Sequence, residues 1–204
     1  MTSLNIGVIG IQGDVYENVI ATKMALDNMK QQGDAYAVFD KEGVSNLDGI
    51  IIPGGESTTI GKLSERDGML EEIKSKIESK TPTFGICAGL VLLGKQVYNH
   101  TVGDTKQTLF GNLDVDIERN AFGRQQNSFE TEIEMNDIQI EKFNAVFIRA
   151  PVVSKLGSKT SIISKWNDKI IAVKQNHIIA TAFHPELSHS VAMHEYFIKM
   201  IQES

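Results

Sequence analysis

The sequence predicts an α/β protein with a doubly wound, mostly parallel central sheet, flanking helices and a β-rich second half. In the first half of the 204-residue chain, short apolar runs alternate with segments of helical spacing, which is typical of βαβ units with parallel strands. After about Gly103 the helical spacing gives way to short strand-like segments separated by turns. The sequence contains no linker that is long or polar enough to divide it into two domains, so we expect one domain over residues 1–204.

The first half contains four predicted strands, each a short apolar run that stops at a glycine, a proline or a polar turn. These strands cover residues 4–11, 35–39, 47–52 and 83–86. Helices are predicted over residues 15–31, over 57–64 or 58–64, and over 69–77. The apolar positions of the first helix are Val15, Val19, Met24, Ala25 and Met29. Asp14 is its candidate N-cap, and Gly33 is expected to end it.

The second half is predicted to be mostly β-strand with one closing helix. Strands are expected over residues 109–119, 128–135, 145–149, 161–166, 170–175 and 178–183. Two turns are expected at Asn167-Asp168 and Asn176-His177. Ser188 or Ser190 is expected to cap a final amphipathic helix that runs to about Ile201.

Composition excludes several classes of protein. Hydrophobic residues make up 41% and charged residues 23%, as in ordinary globular proteins. The net charge of -6 argues against nucleic acid or an anionic membrane as partner. A single cysteine cannot form an internal disulfide, and the sequence shows neither a signal peptide nor a membrane-spanning run. We therefore expect a cytoplasmic protein.

The lone cysteine lies in a pattern typical of an exposed nucleophile. Cys87 stands between Gly85 and Gly89, at a predicted turn from a strand into a helix. Such a turn crowds the backbone, so a Cβ at either glycine would clash. The N-terminus of the helix that follows would favour thiolate over thiol. The alternative is a small buried core cysteine, which is the commoner case for a lone Cys.

His184 is the best candidate for the base that such a cysteine needs. It follows a predicted strand, at the edge of an open α/β sheet where ligands bind. In an extended segment, Glu186 would lie on the same side as His184 and could orient its imidazole toward Cys87.

The other histidines are weaker candidates for this base. His100 has no such partner nearby, and His177 is interpreted as a turn residue. His189 and His194 lie five apart, which is off the one-face spacing of a zinc motif. We interpret both as surface residues and expect neither a metal nor a cofactor.

An acyl-transfer site also needs two donors for the developing oxyanion. The Ala88 N–H, directly after the cysteine, is one candidate. The loop at residues 53–57, with Gly54 and Gly55 between a strand and a helix, is the candidate source of the other. A plain turn is one alternative for this loop, and a phosphate site is another, although no lysine follows as in a P-loop.

Together these motifs resemble class I, triad-type glutamine amidotransferases, and more narrowly the family of glutaminase subunits of pyridoxal 5'-phosphate synthase. The blocks that carry the resemblance, in family order over nearly the whole chain, are residues 11–14 (Ile-Gln-Gly-Asp), 53–60 (Pro-Gly-Gly-Glu-Ser-Thr-Thr-Ile), 85–89 (Gly-Ile-Cys-Ala-Gly), 118–125 (Glu-Arg-Asn-Ala-Phe-Gly-Arg-Gln), 128–130 (Ser-Phe-Glu), 147–151 (Phe-Ile-Arg-Ala-Pro) and 183–187 (Phe-His-Pro-Glu-Leu). The chain departs from the family pattern at Asn18, at Ile86 and over residues 188–190.

The resemblance implies hydrolysis of L-glutamine to glutamate and ammonia, with the ammonia passed to a separate barrel-shaped synthase subunit in a hetero-oligomeric complex. It implies Cys87 as nucleophile, His184 as base and acid, and Glu186 as the orienting carboxylate. It implies that the L-glutamine site is lined by Gly54, Gly55, Glu56, Arg119, Ile148 and Arg149, and that Gly55 and Ala88 donate to the oxyanion. An Arg fork can bind an amino acid's carboxylate, although each Arg could instead form a structural salt bridge.

Three other functions remain open at this point. One is an amidotransferase of the same class that feeds a different synthase. The second is an inactive regulatory partner that keeps the fold for assembly, and the third is a related cysteine hydrolase such as a peptidase. A glutamine-analogue label on Cys87 would separate the last of these from a glutaminase.

Overall fold

A computed structural model describes residues 3–99, 103–119, 121–122 and 128–204. The strands in these ranges are β1 (Leu4–Ile9), β2 (Gly33–Val38), β3 (Gly49–Ile52), β4 (Thr83–Ile86), β5 (Gln96–Asn99), β6 (Gly103–Asp104), β7 (Val115–Arg119), β8 (Ser128–Met135), β9 (Ile140–Ile148), β10 (Val152–Leu156), β11 (Ser161–Trp166), β12 (Lys169–Gln175) and β13 (Ile178–Thr181). The helices are α1 (Val15–Met29), α2 (Lys41–Ser45), α3 (Ser57–Ser64), α4 (Met69–Glu78), α5 (Ala88–Leu93) and α6 (Ala192–Gln202). Short 3-10 turns lie at Arg66–Gly68, Asn136–Ile138 and Pro185–Leu187.

The described strands form one large sheet and one small one. The large sheet has the order β2-β1-β3-β4-β13-β12-β10-β7-β5-β6, with β11 beside β12. From β2 to β13 every neighbouring pair is parallel, while β12, β10 and β7 extend the sheet in antiparallel fashion. Strands β8 and β9 form a separate antiparallel pair. The predicted fold class is therefore confirmed.

The central strands of the parallel half, β3 and β4, are buried throughout because helices cover them. Every residue of β3 and β4 is buried, including Ile50, Ile51 and Phe84. Continuous apolar runs of this kind are typical of parallel strands with both faces covered. Helix α1 packs against β2 and α6, and α5 packs against β4. Within the described ranges, no helix is long and apolar enough to cross a membrane.

Several predicted boundaries in the second half were wrong. The strand predicted over residues 109–119 is confined to β7, because residues 109–114 form a loop on α5. Phe110 N–H donates to the Leu92 carbonyl over 2.7 Å, and Leu113 N–H donates to the Leu93 carbonyl over 2.9 Å. Strands β5, β6 and β10 and helix α2 were not predicted, since none of them shows a continuous apolar run or a period of its own. The turn at Asn167-Asp168 is confirmed, with positive φ at both residues.

Helix α1 differs from its prediction at its end and on its buried face. It ends at Met29, and its C-cap Lys30, which has a left-handed backbone, donates its N–H to the Asp27 carbonyl. Gly33 does not end the helix but begins β2. Asn18 and Thr22 are fully buried, whereas Met24 is 53% exposed. The apolar positions counted in the sequence therefore do not all face the core.

The interpretation of His194 as a surface residue was wrong, whereas His189 is exposed as expected. His194 is fully buried on α6, where its Nε2 lies 3.2 Å from Asn18 Oδ1. Ser190 Oγ accepts from the Ala192 N–H over 3.3 Å, but the N-cap position of α6 is Val191. The burial of His194 follows from the close packing of α1 on α6.

Candidate active site

The candidate site lies where four neighbouring parallel strands end. The segment 12–14 comes after β1, the segment 53–56 after β3, Cys87 directly after β4, and His184 three residues after β13. These strands are adjacent in the order β1-β3-β4-β13. The carboxyl ends of parallel strands share one edge of a sheet, which is where open α/β folds bind ligands. The sheet thus brings together groups from distant parts of the sequence.

Cys87 occupies the strained turn that its two glycines predicted. Its φ of 48° is positive, which costs about 1–3 kcal/mol for a residue other than glycine. A Cβ on Gly89 would clash with the Ile52 carbonyl oxygen, and one on Gly85 would lie 2.5 Å from Leu93 Cδ1. The Cys87 N–H donates to the Thr181 carbonyl of β13 over 2.7 Å. The turn is therefore fixed by its neighbours on both sides.

His184 and Glu186 form the predicted pair, although not through an extended segment. His184 Nδ1–H donates to Glu186 Oε1 over 2.8 Å, and both side chains are buried. The chain forms a 3-10 turn at Pro185–Leu187, and this turn brings the carboxylate back onto the ring. The His184 N–H donates to the Val146 carbonyl over 2.8 Å, which fixes the start of the turn on β9.

Asp14 is a second carboxylate at the same ring nitrogen, and the sequence did not predict this contact. Asp14 Oδ2 lies 3.2 Å from His184 Nδ1. Asp14 is the N-cap residue of α1, as predicted, but its side chain makes no capping hydrogen bond. The place of Asp14 in the 11–14 motif was the one sequence feature that pointed to a role at the site. Because Asp14 and His184 lie 170 residues apart, no local sequence pattern predicts that they are in contact.

The electrostatics of the cluster favour a protonated imidazole. Burial lowers the pKa of His184, but hydrogen bonds with Asp14, Cys87 and Glu186 outweigh it and raise the pKa well above its usual value. The hydrogen bond with His184 lowers the pKa of Asp14. Burial raises the pKa of Glu186, although its hydrogen bond with His184 opposes this effect.

The sulfur of Cys87 lies within reach of both the base and the main chain of β9. Its interaction with His184 is one of the causes that raise the pKa of that histidine. Because both carboxylates face Nδ1, the other ring nitrogen, Nε2, is left for the sulfur. Sγ also lies 3.9 Å from the Ile148 carbonyl oxygen. Ile148, a predicted substrate residue, is thus placed beside the nucleophile.

The Gly54-Gly55 loop is held by the segment that follows β1. The Asp14 N–H donates to the Gly54 carbonyl over 3.2 Å, and the Glu56 N–H donates to Gln12 Oε1 over 2.8 Å. Gly55 has a φ of 150°, a conformation that favours glycine. A Cβ on Gly54 would clash with the His184 ring. The loop therefore packs directly on the candidate base.

Glu56 and Arg119, both predicted to line the substrate site, bind each other. Arg119 Nη2 lies 3.1 Å from Glu56 Oε1, and its Nη1 donates to Thr58 Oγ1 and to Gln107 Oε1, each over 3.1 Å. Glu56 also caps α3, since its Oε2 accepts from the Thr59 N–H over 2.7 Å. Burial would raise the pKa of Glu56, but the hydrogen bonds from Thr59, Thr58 and Arg119 lower it to about 2. Gln107 is a contact that the sequence did not predict.

Arg149 offers an exposed cation next to Ile148. It is exposed, its φ of 44° is positive, and none of the described residues forms an ion pair with its guanidinium. The preceding strand β9 is anchored by Phe147, whose ring stacks on Phe129 with centroids 4.6 Å apart. Of the predicted 118–125 block, residues 120 and 123–125 lie outside the described residues.

Asp14, His184 and Glu186 also place three polar atoms within 4.8 Å of one another, as a metal site would. We interpret them as a hydrogen-bonded cluster, because one Nδ1–H proton accounts for both contacts with the carboxylates.

Comparisons with known proteins agree with this geometry. The model of the SNO glutamine amidotransferase family matches residues 8–203. The pyridoxal 5'-phosphate synthase subunit PdxT of Nitrosopumilus maritimus is 46% identical over 202 residues, which cover 99% of this chain and 98% of that protein. PdxT of Sulfurisphaera tokodaii is 44% identical over 200 residues, covering 98% of this chain and all of that protein.

Solved structures give the same result. A crystal structure of a glutamine amidotransferase, 38% identical in sequence, matches with a TM-score of 0.85 over 97% of this chain and 98% of that chain. A glutamine amidotransferase from Thermotoga maritima shares the fold, with a TM-score of 0.63 at 12% identity. The family match over nearly the whole sequence, together with these relatives, shows that this chain belongs to the SNO glutamine amidotransferase family.

Proposed function

We propose that this chain hydrolyses L-glutamine to glutamate and ammonia through Cys87, His184 and Glu186, and that it supplies the ammonia to a pyridoxal 5'-phosphate synthase subunit. The observation that carries the proposal is the placement of a carboxylate-held imidazole beside a cysteine on a strained turn. Family membership and the PdxT relatives support the choice of substrate and pathway.

The first half of the reaction forms a thioester. The Cys87 thiolate attacks the carbon of the side-chain amide, and the C=O electrons move onto oxygen. The N–H groups of Gly55 and Ala88 are the proposed donors to this oxyanion. As the tetrahedral intermediate collapses, the C–N bond breaks and His184 gives its Nε2 proton to the leaving nitrogen, so ammonia departs.

The second half restores the enzyme. Neutral His184 takes a proton from water, and the hydroxide that forms attacks the thioester carbon. Collapse of this second intermediate breaks the C–S bond and releases glutamate, leaving a thiolate beside a protonated imidazole. Glu186 holds Nδ1–H throughout, so Nε2 always faces the reacting atoms.

Substrate recognition is assigned to the groups around the Gly54-Gly55 loop. Arg149, which is exposed and unpaired among the described residues, is suited to the α-carboxylate of glutamine. Arg119 and Glu56 form an ion pair at the same edge, so we propose that together they shape the pocket. The Ile148 carbonyl, 3.9 Å from Cys87 Sγ, can accept from the substrate amide.

The partner is proposed to be a barrel-shaped synthase subunit that docks at the 12–14 segment. Next to this segment, Tyr16, Ile20 and Met24 form an exposed apolar stripe on α1, with side chains 53–70% exposed. Large exposed apolar patches on a helix typically mark protein interfaces. Residues 12–14 also hold the Gly54-Gly55 loop, so a partner that docks there could fix the position of the N–H groups that donate to the oxyanion. We propose a cytoplasmic location, since a catalytic thiol must stay reduced.

The experiment is glutamate release from L-glutamine by the chain alone and with its cognate synthase subunit. Cys87→Ser, which keeps the shape of the side chain, is the matched control. Release that rises with the partner and disappears in Cys87→Ser is the expected result. Full activity of the isolated chain would refute the coupling to the partner. No release by a folded complex would favour the regulatory alternative over a glutaminase.

A further inference from the structure

Asp14 is a charged residue of the site to which the triad gives no role. Its carboxylate lies 3.2 Å from His184 Nδ1, on the ring nitrogen that Glu186 also binds. We propose that Asp14 is a positioning residue, which together with Glu186 holds the Nδ1–H of His184 and so fixes both the ring and its positive charge. This inference rests on the proposed function, in which His184 is the catalytic base.

The backbone of Asp14 is fixed independently of its carboxylate. Its N–H donates to the Gly54 carbonyl over 3.2 Å, and its carbonyl accepts from Asn18 Nδ2 over 2.8 Å. The side chain does not cap α1. The ion-pair contact with His184 is therefore the one polar contact that the structure shows for this carboxylate among the described residues, and the backbone hydrogen bonds place the carboxylate there.

Glu186 alone is poorly suited to balance the charge of the imidazolium. Its side chain is fully buried, and its Oε2 has no hydrogen-bond partner among the described residues. An unsatisfied buried carboxylate oxygen costs free energy, which favours the protonated form of the acid. The side chain of Asp14 is 37% exposed, so water can solvate its negative charge. Without Asp14, the buried Glu186 alone would have to balance the charge of the imidazolium. The two carboxylates thus have different environments around one ring.

The geometry makes Asp14→Asn a selective perturbation. Asn is similar in size and keeps both backbone hydrogen bonds, but it removes the negative charge from the ring. Asp14→Glu keeps the charge on a longer arm. Asp27→Asn, at an exposed position on α1, makes the same change of charge away from the site.

The decisive readout is the ionisation of the His184 ring, followed by NMR of nitrogen-labelled imidazoles. It is measured in a Cys87→Ala background, so that Asp14 and Glu186 are the charged groups facing the ring. Adding Asp14→Asn should lower the titration midpoint by about one pH unit or more, which is the usual effect of losing one nearby opposite charge. Asp14→Glu should restore much of the shift, and Asp27→Asn should leave the midpoint unchanged.

Kinetics with the synthase partner give the second readout. Asp14→Asn in the otherwise native chain should lower kcat for glutamate release about tenfold with little change in KM, because the ring is positioned for both steps. Asp14→Glu should recover part of this loss. A merely structural role would lower the melting temperature but would not move the His184 titration.

Identical His184 midpoints with and without Asp14→Asn would overturn the inference. So would an imidazolium that persists through about pH 10.5 in both proteins, because Glu186 alone would then hold the charge. Failure of the proposed function is a separate result, since it appears as glutamate release that survives Cys87→Ser. An unchanged titration together with release that depends on Cys87 defeats only the role of Asp14.

Discussion

His194 should make the stability of the protein depend on pH in a way that one substitution removes. The imidazole is fully buried between α6 and α1, where Nε2–H donates to Asn18 Oδ1 and the ring meets Phe84 edge-on. Burial lowers the pKa of His194 to about 3, compared with about 6.5 in an unfolded chain. Below about pH 6.5 the unfolded state therefore binds a proton that the folded state does not, and stability falls.

The size of this effect follows from proton linkage. Relative to about pH 7.5, the free energy of unfolding should lose about 1.4 kcal/mol at about pH 5.5 and about 2.7 kcal/mol at about pH 4.5 from this one residue. His194→Gln cannot ionise, and its amide can still donate toward Asn18. Urea unfolding of both proteins over this pH range gives the difference, in which the contributions of all shared groups cancel.

His189→Gln is the matched control, because His189 is exposed on the segment just before α6. It should follow the wild-type pH dependence. If wild type and His194→Gln lose stability in parallel between about pH 7.5 and about pH 4.5, then His194 does not carry the linkage and the reasoning is refuted.

Three further substitutions test the framework of the site. Gly89→Ala places a Cβ against the Ile52 carbonyl oxygen, so urea unfolding should show a loss of about 1–3 kcal/mol, and an unchanged midpoint would contradict the crowding at the turn. Glu56→Ala removes the carboxylate that accepts from the Thr59 N–H, and calorimetry should show a loss of about 1–2 kcal/mol that Glu56→Gln, which keeps an acceptor, reduces. Phe147→Ala removes a fully buried ring from the strand that carries the Ile148 carbonyl, so urea unfolding should show a loss of about 3–5 kcal/mol; less than about 1 kcal/mol would show that β9 does not depend on this ring.

Much of the parallel half could be predicted from sequence because its signals are local. The runs that form β3 and β4 contain one polar residue, Thr83, and stop at Pro53 and at Cys87, so composition and turn residues suffice. The elbow at Cys87 likewise follows from two glycines whose role is steric. In the second half the short strand β10 was missed, since its place depends on hydrogen bonds from β7 and β12.

The errors at the site have a common physical cause, which is contact between residues far apart in sequence. Asp14 has the residue type and position of an N-cap, but the His184 ring, fixed by β13 and β9, offers its carboxylate a charged partner instead. His194 was interpreted as a surface residue because its spacing of five from His189 is off the one-face spacing of a zinc motif. Its partner Asn18 lies 176 residues away on α1, so no local pattern could reveal the buried pair.

The central claim is that Cys87 is the nucleophile of a glutamine-specific site, and covalent labelling tests it most directly. The complex is treated with an electrophilic glutamine analogue, and intact mass followed by peptide mapping locates the adduct. We predict one adduct on Cys87, protection by excess L-glutamine, and no adduct in Cys87→Ser. A complex that releases glutamate while Cys87 stays unlabelled, or labelling that L-glutamine does not prevent, would contradict the claim.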